Sequence, residues 1–238
     1  MNERLINEIR HGERIVGKAR EIWGWSGMAG EKRWRRRVGM LTSHIRPGMR
    51  VLEIGCGTGL LTDVLCQLGA EVVAVDVSGV LIEQAKQNSK NNIEFIVADV
   101  CELKERDASF DFVVGSSVLH HLDIDRALCE IFRVLKKRGE IRFTEPNMLN
   151  PQIAVQKNIP FAKKWLGDSP DETAFFRWMI ARKIKEAGFF SVNVVPFDFL
   201  HPKTPKITVS AIERLSIFIE KIPVIKEISG SLFIRATK

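Results

Sequence analysis

Short apolar runs recur along residues 51–143, each ending on a carboxylate or glycine and separated from the next by a helical stretch. Val51-Leu52-Glu53-Ile54 is the first, and a helix over 60–68 follows it. Glu71-Val72-Val73-Ala74-Val75-Asp76 is a second buried-type strand, and Asn92-Ile93-Glu94-Phe95-Ile96-Val97-Ala98-Asp99 a third. Phe110-Asp111-Phe112-Val113-Val114-Gly115 is a fourth. A helix over 124–135, a turn at Lys136-Lys137-Arg138-Gly139 and a fifth strand over 140–143 come next. Strands alternating with helices predict an α/β chain with a parallel sheet. Two helices are expected earlier, over 4–22 and 31–45. Later, the pattern is weakly helical over 153–165 with Pro160 as an interruption, and helical over 171–187. That helix has Asp168, Ser169 or Asp171 as N-cap and Gly188 as its stop. Strands are expected over 191–197 and 231–236.

Between the first strand and its helix stands Glu53-Ile54-Gly55-Cys56-Gly57-Thr58-Gly59. Glycines so close together let the backbone turn tightly and approach a ligand that a Cβ would push away. A strand, glycine loop and helix is where open α/β sheets hold nucleotide-like ligands. A dinucleotide fingerprint, G-x-G-x-x-G, needs glycine at position 60, where Leu60 stands. Asp76 lies 17 residues after Gly59, the place for a carboxylate that takes ribose hydroxyls.

The order of these features resembles the class I S-adenosylmethionine (SAM) dependent methyltransferases over about residues 46–146. The matching parts are the E-x-G-x-G-x-G loop, Asp76, Asp99, the segment Ser117-Val118-Leu119-His120-His121-Leu122 after strand 4, and the Leu135-Lys136-x-x-Gly139 turn. The resemblance implies a Rossmann-like seven-stranded sheet of order 3-2-1-4-5-7-6, strand 7 antiparallel, with helices on both faces. It implies one domain over 1–238: a helical cap (1–48), a SAM-binding core (49–146) and a substrate-side part (147–238). By the same resemblance Gly55, Cys56, Gly57 and Gly59 approach the methionine and ribose parts of SAM, with Ser116 beside them. Glu53 orders that loop, Asp76 takes the ribose hydroxyls, Asp99 the adenine amino group, and Val77 and Val100 flank the adenine ring. The product is S-adenosylhomocysteine.

Methyl transfer needs donor and acceptor held in line, with a base if the acceptor is a hydroxyl. His120 and His121 are the candidates for base or substrate positioning, since imidazole titrates near neutral pH. The same pair can serve the cofactor edge or the fold. His201 and Glu145 are further candidates, Glu145 being expected at the pocket mouth. The strand-4 tip Gly115-Ser116-Ser117-Val118 lacks the Asn/Asp-Pro-Pro-aromatic and Pro-Cys patterns of nucleobase methylases, so DNA is not an expected partner. The resemblance is closest to the branch holding ubiquinone/menaquinone-type, sterol and natural-product methyltransferases. It implies O- or C-methylation of a small or lipid-like acceptor. A SAM-binding regulatory protein without catalysis, or an RNA or protein methyltransferase, are the other readings.

Composition narrows the classes further. The 238 residues are 45% hydrophobic and 27% charged, as in an ordinary globular protein. No apolar stretch approaches the roughly 18 residues of a membrane span, and the charged N-terminus lacks a signal-peptide pattern. Cys56, Cys66, Cys101 and Cys129 have no metal-type spacing and read as reduced, mostly buried thiols in a cytoplasmic setting, so no metal site is expected. The net charge of +7 is uneven. Residues 1–50 carry 12 basic and 5 acidic groups, residues 51–150 carry 10 and 16, and residues 151–238 carry 14 and 8. The basic flanks are either solvated helix faces or a means of steering an anionic acceptor or surface.

Two segments add candidates. Trp23-Gly24-Trp25-Ser26-Gly27-Met28-Ala29-Gly30 joins the first two helices and is expected to contribute to a lid, with Trp34 in the core. Arg33, Arg35, Arg36 and Arg37 are candidates for the SAM carboxylate or an anionic substrate. Between strands 6 and 7 lie 33 residues, longer than a hairpin turn. Within this 199–229 insertion Ile207, Ala211, Ile212, Leu215, Phe218 and Ile219 form one helical stripe. The stripe packs on the sheet edge or a partner subunit (a homodimer), caps the substrate pocket, or lies peripherally on a membrane.

Overall fold

The computed structural model describes residues 3–89, 93–159, 161, 163, 169 and 171–238. A seven-stranded sheet of order β3-β2-β1-β4-β5-β7-β6 runs through the molecule. Its strands are β1 (Arg50–Ile54), β2 (Glu71–Asp76), β3 (Glu94–Val97), β4 (Phe110–Ser116), β5 (Leu135–Pro146), β6 (Phe190–Phe197) and β7 (Ser231–Thr237). β1 to β5 are parallel, and β7 runs antiparallel between β5 and β6. This is the topology the resemblance implies.

The central strands are apolar at most positions because both faces are covered. Leu52, Ile54, Val73, Val75 and Val113 point to one side and pack with α6 (Ile124–Val134) and α8 (Arg177–Glu186) through Ile131, Ile180 and Ile184. Their neighbours Val51, Val72, Ala74, Phe112 and Val114 point to the other side. There they meet α3 (Gly27–Thr42), α4 (Leu60–Gln67) and α5 (Gly79–Asn88) through Leu41, Leu61, Leu65 and Ile82. Fully buried aliphatic side chains of this kind contribute about 1.5–3 kcal/mol each. The period-2 alternation therefore fixes which helix lies on which face.

Several boundaries differ from expectation. The first helix breaks at Gly17, whose φ of 79° is left-handed, into α1 (Glu3–Ile15) and α2 (Ala19–Ile22). Lys136–Gly139 is no free turn but a bulge inside one continuous β5. Leu135 pairs with Phe110 and Glu140 with Phe112, while Arg138 and Gly139 exchange backbone bonds with Lys238. The helix expected over 171–187 starts only at Arg177. Asn147 bridges to Phe175 and holds 171–176 extended along the end of β5. Neither Ser169 nor Asp171 caps it, and Asp168, the other candidate, lies outside the described residues, as does Pro160. α7 covers Pro151–Asn158, and α9 (Val209–Ile219) lies in the 199–229 insertion. All four cysteines are free, and Cys129 is exposed rather than buried. No helix among the described residues is long and apolar enough to cross a membrane.

Candidate functional site

The loops leaving the carboxyl ends of β1, β2, β4 and β5 surround a cavity of about 450 Å³, the position where open α/β sheets bind ligands. One half is built from backbone. Gly55, Gly57 and Gly59 have φ of 66°, 53° and 84°, a region that L side chains adopt only under strain. A Cβ on Gly57 would also lie 2.5 Å from Cη2 of Trp23, so the indole of the N-terminal segment rests directly on the loop. Asp76 binds the loop from β2. One carboxylate oxygen accepts the Gly57 N–H and the other the Ser78 N–H, both at 2.9 Å. Burial raises the Asp76 pKa while those amides oppose the rise. Asp99 accepts the Cys101 N–H at 2.9 Å and caps the short 3-10 turn Val100–Glu102. Asp76, Val77, Asp99, Val100, Cys56 and Ser116 all line the cavity.

Glu53 sits beneath the loop, 2% exposed, and accepts the Thr62 hydroxyl at 2.5 Å. Among the described residues no cation faces it, and burial pushes its pKa up to about 8. The Cys56 thiol is likewise pushed up by burial. Ser116 Oγ shares a hydrogen bond with Thr144 Oγ1 at 3.1 Å.

The opposite half is built from side chains. His120 is 3% exposed, its Nδ1 2.6 Å from Glu145 and its Nε2 3.5 Å from Glu172. Burial alone would lower its pKa, but the two carboxylates outweigh burial and hold it at about 9. His120 is thus an imidazolium at neutral pH. Glu145 does not face the pocket mouth as expected. It is 1% exposed beneath the turn, and it accepts the amides of Val118 and Leu119 as well as the imidazole. The turn after β4 is therefore folded around a carboxylate at the end of β5. Burial raises the Glu172 pKa, yet hydrogen bonding to His120 and the nearby imidazoles and Lys157 hold it well below the usual carboxylate range.

His121 is turned toward the cavity, with Nδ1 2.8 Å from Glu8 on α1. Glu8 also accepts the Ser169 hydroxyl at 2.6 Å. Arg4 on the same helix donates to the carbonyls of His121 and His120 at 2.6 and 2.9 Å. The ring of His11 stacks at 6.4 Å from that of His121. α1 is thereby fastened over the cleft by side chains more than a hundred positions away in sequence. His120, His121 and Glu172 bring one donor atom each within 4.8 Å of one another. Lys157 already pairs with the same Glu172 oxygen, which places a positive charge where a cation would sit.

Arg33 and Arg37 also reach the cavity wall and share one carboxylate, Asp198, at 3.0 and 2.6 Å. Arg37 is fully buried, and burial lowers its pKa to about 10. Arg36 pairs with Glu220, and Arg35 is exposed. His201 is not among the cavity residues; its Nε2 lies 3.1 Å from the Gln152 amide at the surface. Sequence reasoning missed Arg4, Glu8, His11, Lys157 and Glu172, whereas Trp23 lies in the segment expected to contribute to a lid. No local pattern marks the missed residues.

Residues 52–143 match the methyltransferase domain family. The chain is 40% identical over 123 residues to a ubiquinone biosynthesis O-methyltransferase of Pelagibacter ubique, covering 50% of this chain and 51% of that protein. It is 32% identical to the mitochondrial protein of the same name from Bos taurus, over 62% of this chain and 43% of that one. The match thus spans about half the length of these two relatives. It is 30% identical over 193 residues to a demethylmenaquinone methyltransferase of Staphylococcus aureus, covering 70% of this chain and 78% of that protein. Among solved structures, a SAM-dependent methyltransferase of Thermotoga maritima superposes with a TM-score of 0.71 at 20% identity, over 97% and 99% of the two chains. The N-methyltransferase NodS of Bradyrhizobium japonicum, solved with S-adenosylhomocysteine, gives 0.67 at 16% identity over 98% of each. These two likenesses concern the fold.

Proposed function

The chain belongs to the class I SAM-dependent methyltransferases, in the branch of the ubiquinone and menaquinone enzymes, and from that premise we propose that it methylates a hydroxyl of a small, lipid-like phenolic acceptor. The observation that carries the reading is the Glu8–His121 pair at the cavity wall opposite the glycine loop. The names of the ubiquinone and menaquinone relatives support the acceptor class.

The donor half suits SAM by its shape. Three glycines at positive φ form a cradle that side chains would fill. Asp76 and Asp99 present carboxylates along the same wall for the ribose hydroxyls and adenine amine, and Val77 and Val100 flank the ring. When bound, SAM supplies a methyl carbon activated by its sulfonium. Asp76 keeps Gly57 and Ser78 in place, so the backbone that receives the ligand is already ordered.

On the acceptor half, His121 takes the hydroxyl proton as the new oxygen–carbon bond forms, and Glu8 stabilises the imidazolium that results. The oxygen lone pair makes the bond to the methyl carbon, and the electrons of the broken carbon–sulfur bond remain on sulfur. His120 already carries its proton and is held on both nitrogens, so it positions His121 and the turn instead of acting as base. Trp23 over the loop excludes water from the reacting centre. A phenolate attacks through oxygen or through a ring carbon, and product analysis separates the two.

Incubation of the protein with SAM and a panel of ortho-diphenols bearing short and long prenyl tails, read by mass spectrometry and NMR, tests the reading. Methylation on oxygen is expected. His121→Phe and Glu8→Gln are expected to lower kcat by about 10²–10³-fold while leaving SAM affinity unchanged. Tight SAM binding with no phenol methylated would sink the reading.

A further inference from the structure

The insertion between β6 and β7 turns most of its large apolar residues away from the protein. α9 is seated on the protein by Val209 and Ile212, which pack with Ala29 and Leu200, and otherwise through polar contacts. Ser216 Oγ accepts the Phe199 N–H at 3.0 Å, Glu220 accepts the Asp198 N–H at 2.8 Å and pairs with Arg36, and Glu213 pairs with Lys32. Of the expected stripe only Ile212 and Ile219 are partly covered. Ile207 is 93% exposed, Phe218 62% and Val224 81%, and Leu215, Ile217 and Ile225 also face outward. So many large aliphatic and aromatic side chains on one segment mark a contact surface rather than ordinary scatter.

Charge says what the surface meets. The acids of the segment are turned inward, Glu213 to Lys32, Glu220 to Arg36 and Glu227 to Arg177 at 2.7 Å. Lys203, Lys206, Arg214, Lys221 and Lys226 have no ion-pair partner among the described residues and remain interleaved with the apolar side chains. Two copies meeting through this face would set like charges against each other. An anionic lipid surface satisfies both features at once, taking the apolar side chains into its acyl boundary and the cations at its headgroups.

We propose that residues 203–228 dock the protein on an anionic lipid bilayer, with the cavity mouth beside the bilayer. The two ends of the segment continue into the cavity, where Pro202 and Gly230 form part of the wall. Asn150 at the start of α7 donates to the Ile228 carbonyl at 2.9 Å, tying the docking face to the helix that brings Ile153 and Lys157 to the same wall. A lipid-like acceptor would then pass from bilayer to cavity without crossing water. This adds a route of delivery to the function proposed above, while docking itself requires no methyl transfer.

Co-sedimentation of the full chain with vesicles of phosphatidylcholine, alone and mixed with phosphatidylglycerol, tests it. Binding to the mixed vesicles is expected, weakened about tenfold or more by high salt and by the triple change Leu215→Ser, Phe218→Ser and Val224→Ser. SAM affinity in solution and the circular-dichroism melting curve of the triple variant are expected to match the parent, which separates lost docking from lost folding. No binding to either vesicle, or equal binding by the triple variant, overturns the proposal. So does a stable dimer of the parent that the triple variant converts to monomer, since a second copy would then cover the face. A short-tailed soluble phenol that is methylated while vesicles are not bound refutes docking alone; failure to methylate it while vesicles are bound refutes the acceptor reading alone.

Discussion

The two walls of the cavity are made in opposite ways. On the wall proposed for the donor, residues 53–59 follow one another in the chain, and the loop is shaped by three glycines at positive φ and by amides that donate to Val75, Cys56 and Asp76. On the wall proposed for the acceptor, Glu8, His121, Glu145, Lys157 and Glu172 come from five separate elements and meet through their side chains. The first wall is rigid because its geometry is local. The second is held by electrostatic compensation, so each member depends on the others.

The largest expected effect falls on the second wall. Glu145→Ala strips acceptors from the Val118 and Leu119 amides and leaves the buried His120 imidazolium half-compensated. Urea unfolding should show a loss of about 3–5 kcal/mol. A loss below about 1 kcal/mol would break the comparison, because the acceptor wall would then tolerate a missing member.

Titration sharpens the same point. The folded-state pKa of His120, about 9, lies above its ordinary 6.5. Its contribution is therefore complete below pH 6.5 and fades as pH rises through 9, by at most about 3 kcal/mol. Unfolding midpoints at about pH 6 and pH 9.5 measure it. His120→Asn should flatten this part of the profile.

On the donor wall, Asp76→Ala should weaken SAM binding by about 100-fold in calorimetry, or about 2.7 kcal/mol, with a smaller cost in stability. If stability falls and affinity does not, Asp76 serves only as a turn cap and the donor wall is no ligand site at that point. The smallest effect should be at Glu53. Its folded pKa of about 8 exceeds the usual 4.5, so its stabilising contribution is complete below 4.5 and is lost as pH rises through 8. Glu53→Gln keeps a partner for Thr62 and should make the SAM-free protein about 1–2 kcal/mol more stable near pH 8, while lowering SAM affinity about tenfold.

The core strands and the glycine loop were legible in the sequence for one reason, while the strand order followed from the resemblance alone. Val51, Leu52 and Ile54 are apolar because the strand is buried on both faces, and the glycines at 55, 57 and 59 follow directly. Where longer-range contacts decide, the reading missed. The helix expected from 171 begins at 177 because Asn147 and Phe175 bridge, and that release leaves Glu172 in the site. Glu145 was expected at the mouth and lies under the turn, since the amides after β4 need an acceptor and β5 runs beside them. The stripe on α9 was visible, but which way it faces was not. Glu213, Ser216 and Glu220 anchor the opposite side.

By itself, the sequence determined the parallel core and the glycine loop, because these rest on periodicity and on neighbours within one turn, and its resemblance to the methyltransferases implied the methyl donor and the carboxylates that accompany the loop. Only the tertiary structure decided which histidine carries a fixed proton, which one meets the cavity with Glu8 behind it, and which face of the insertion stays uncovered. Those outcomes depend on charges brought together across more than a hundred residues, where burial and compensation set the protonation state and no local pattern records it.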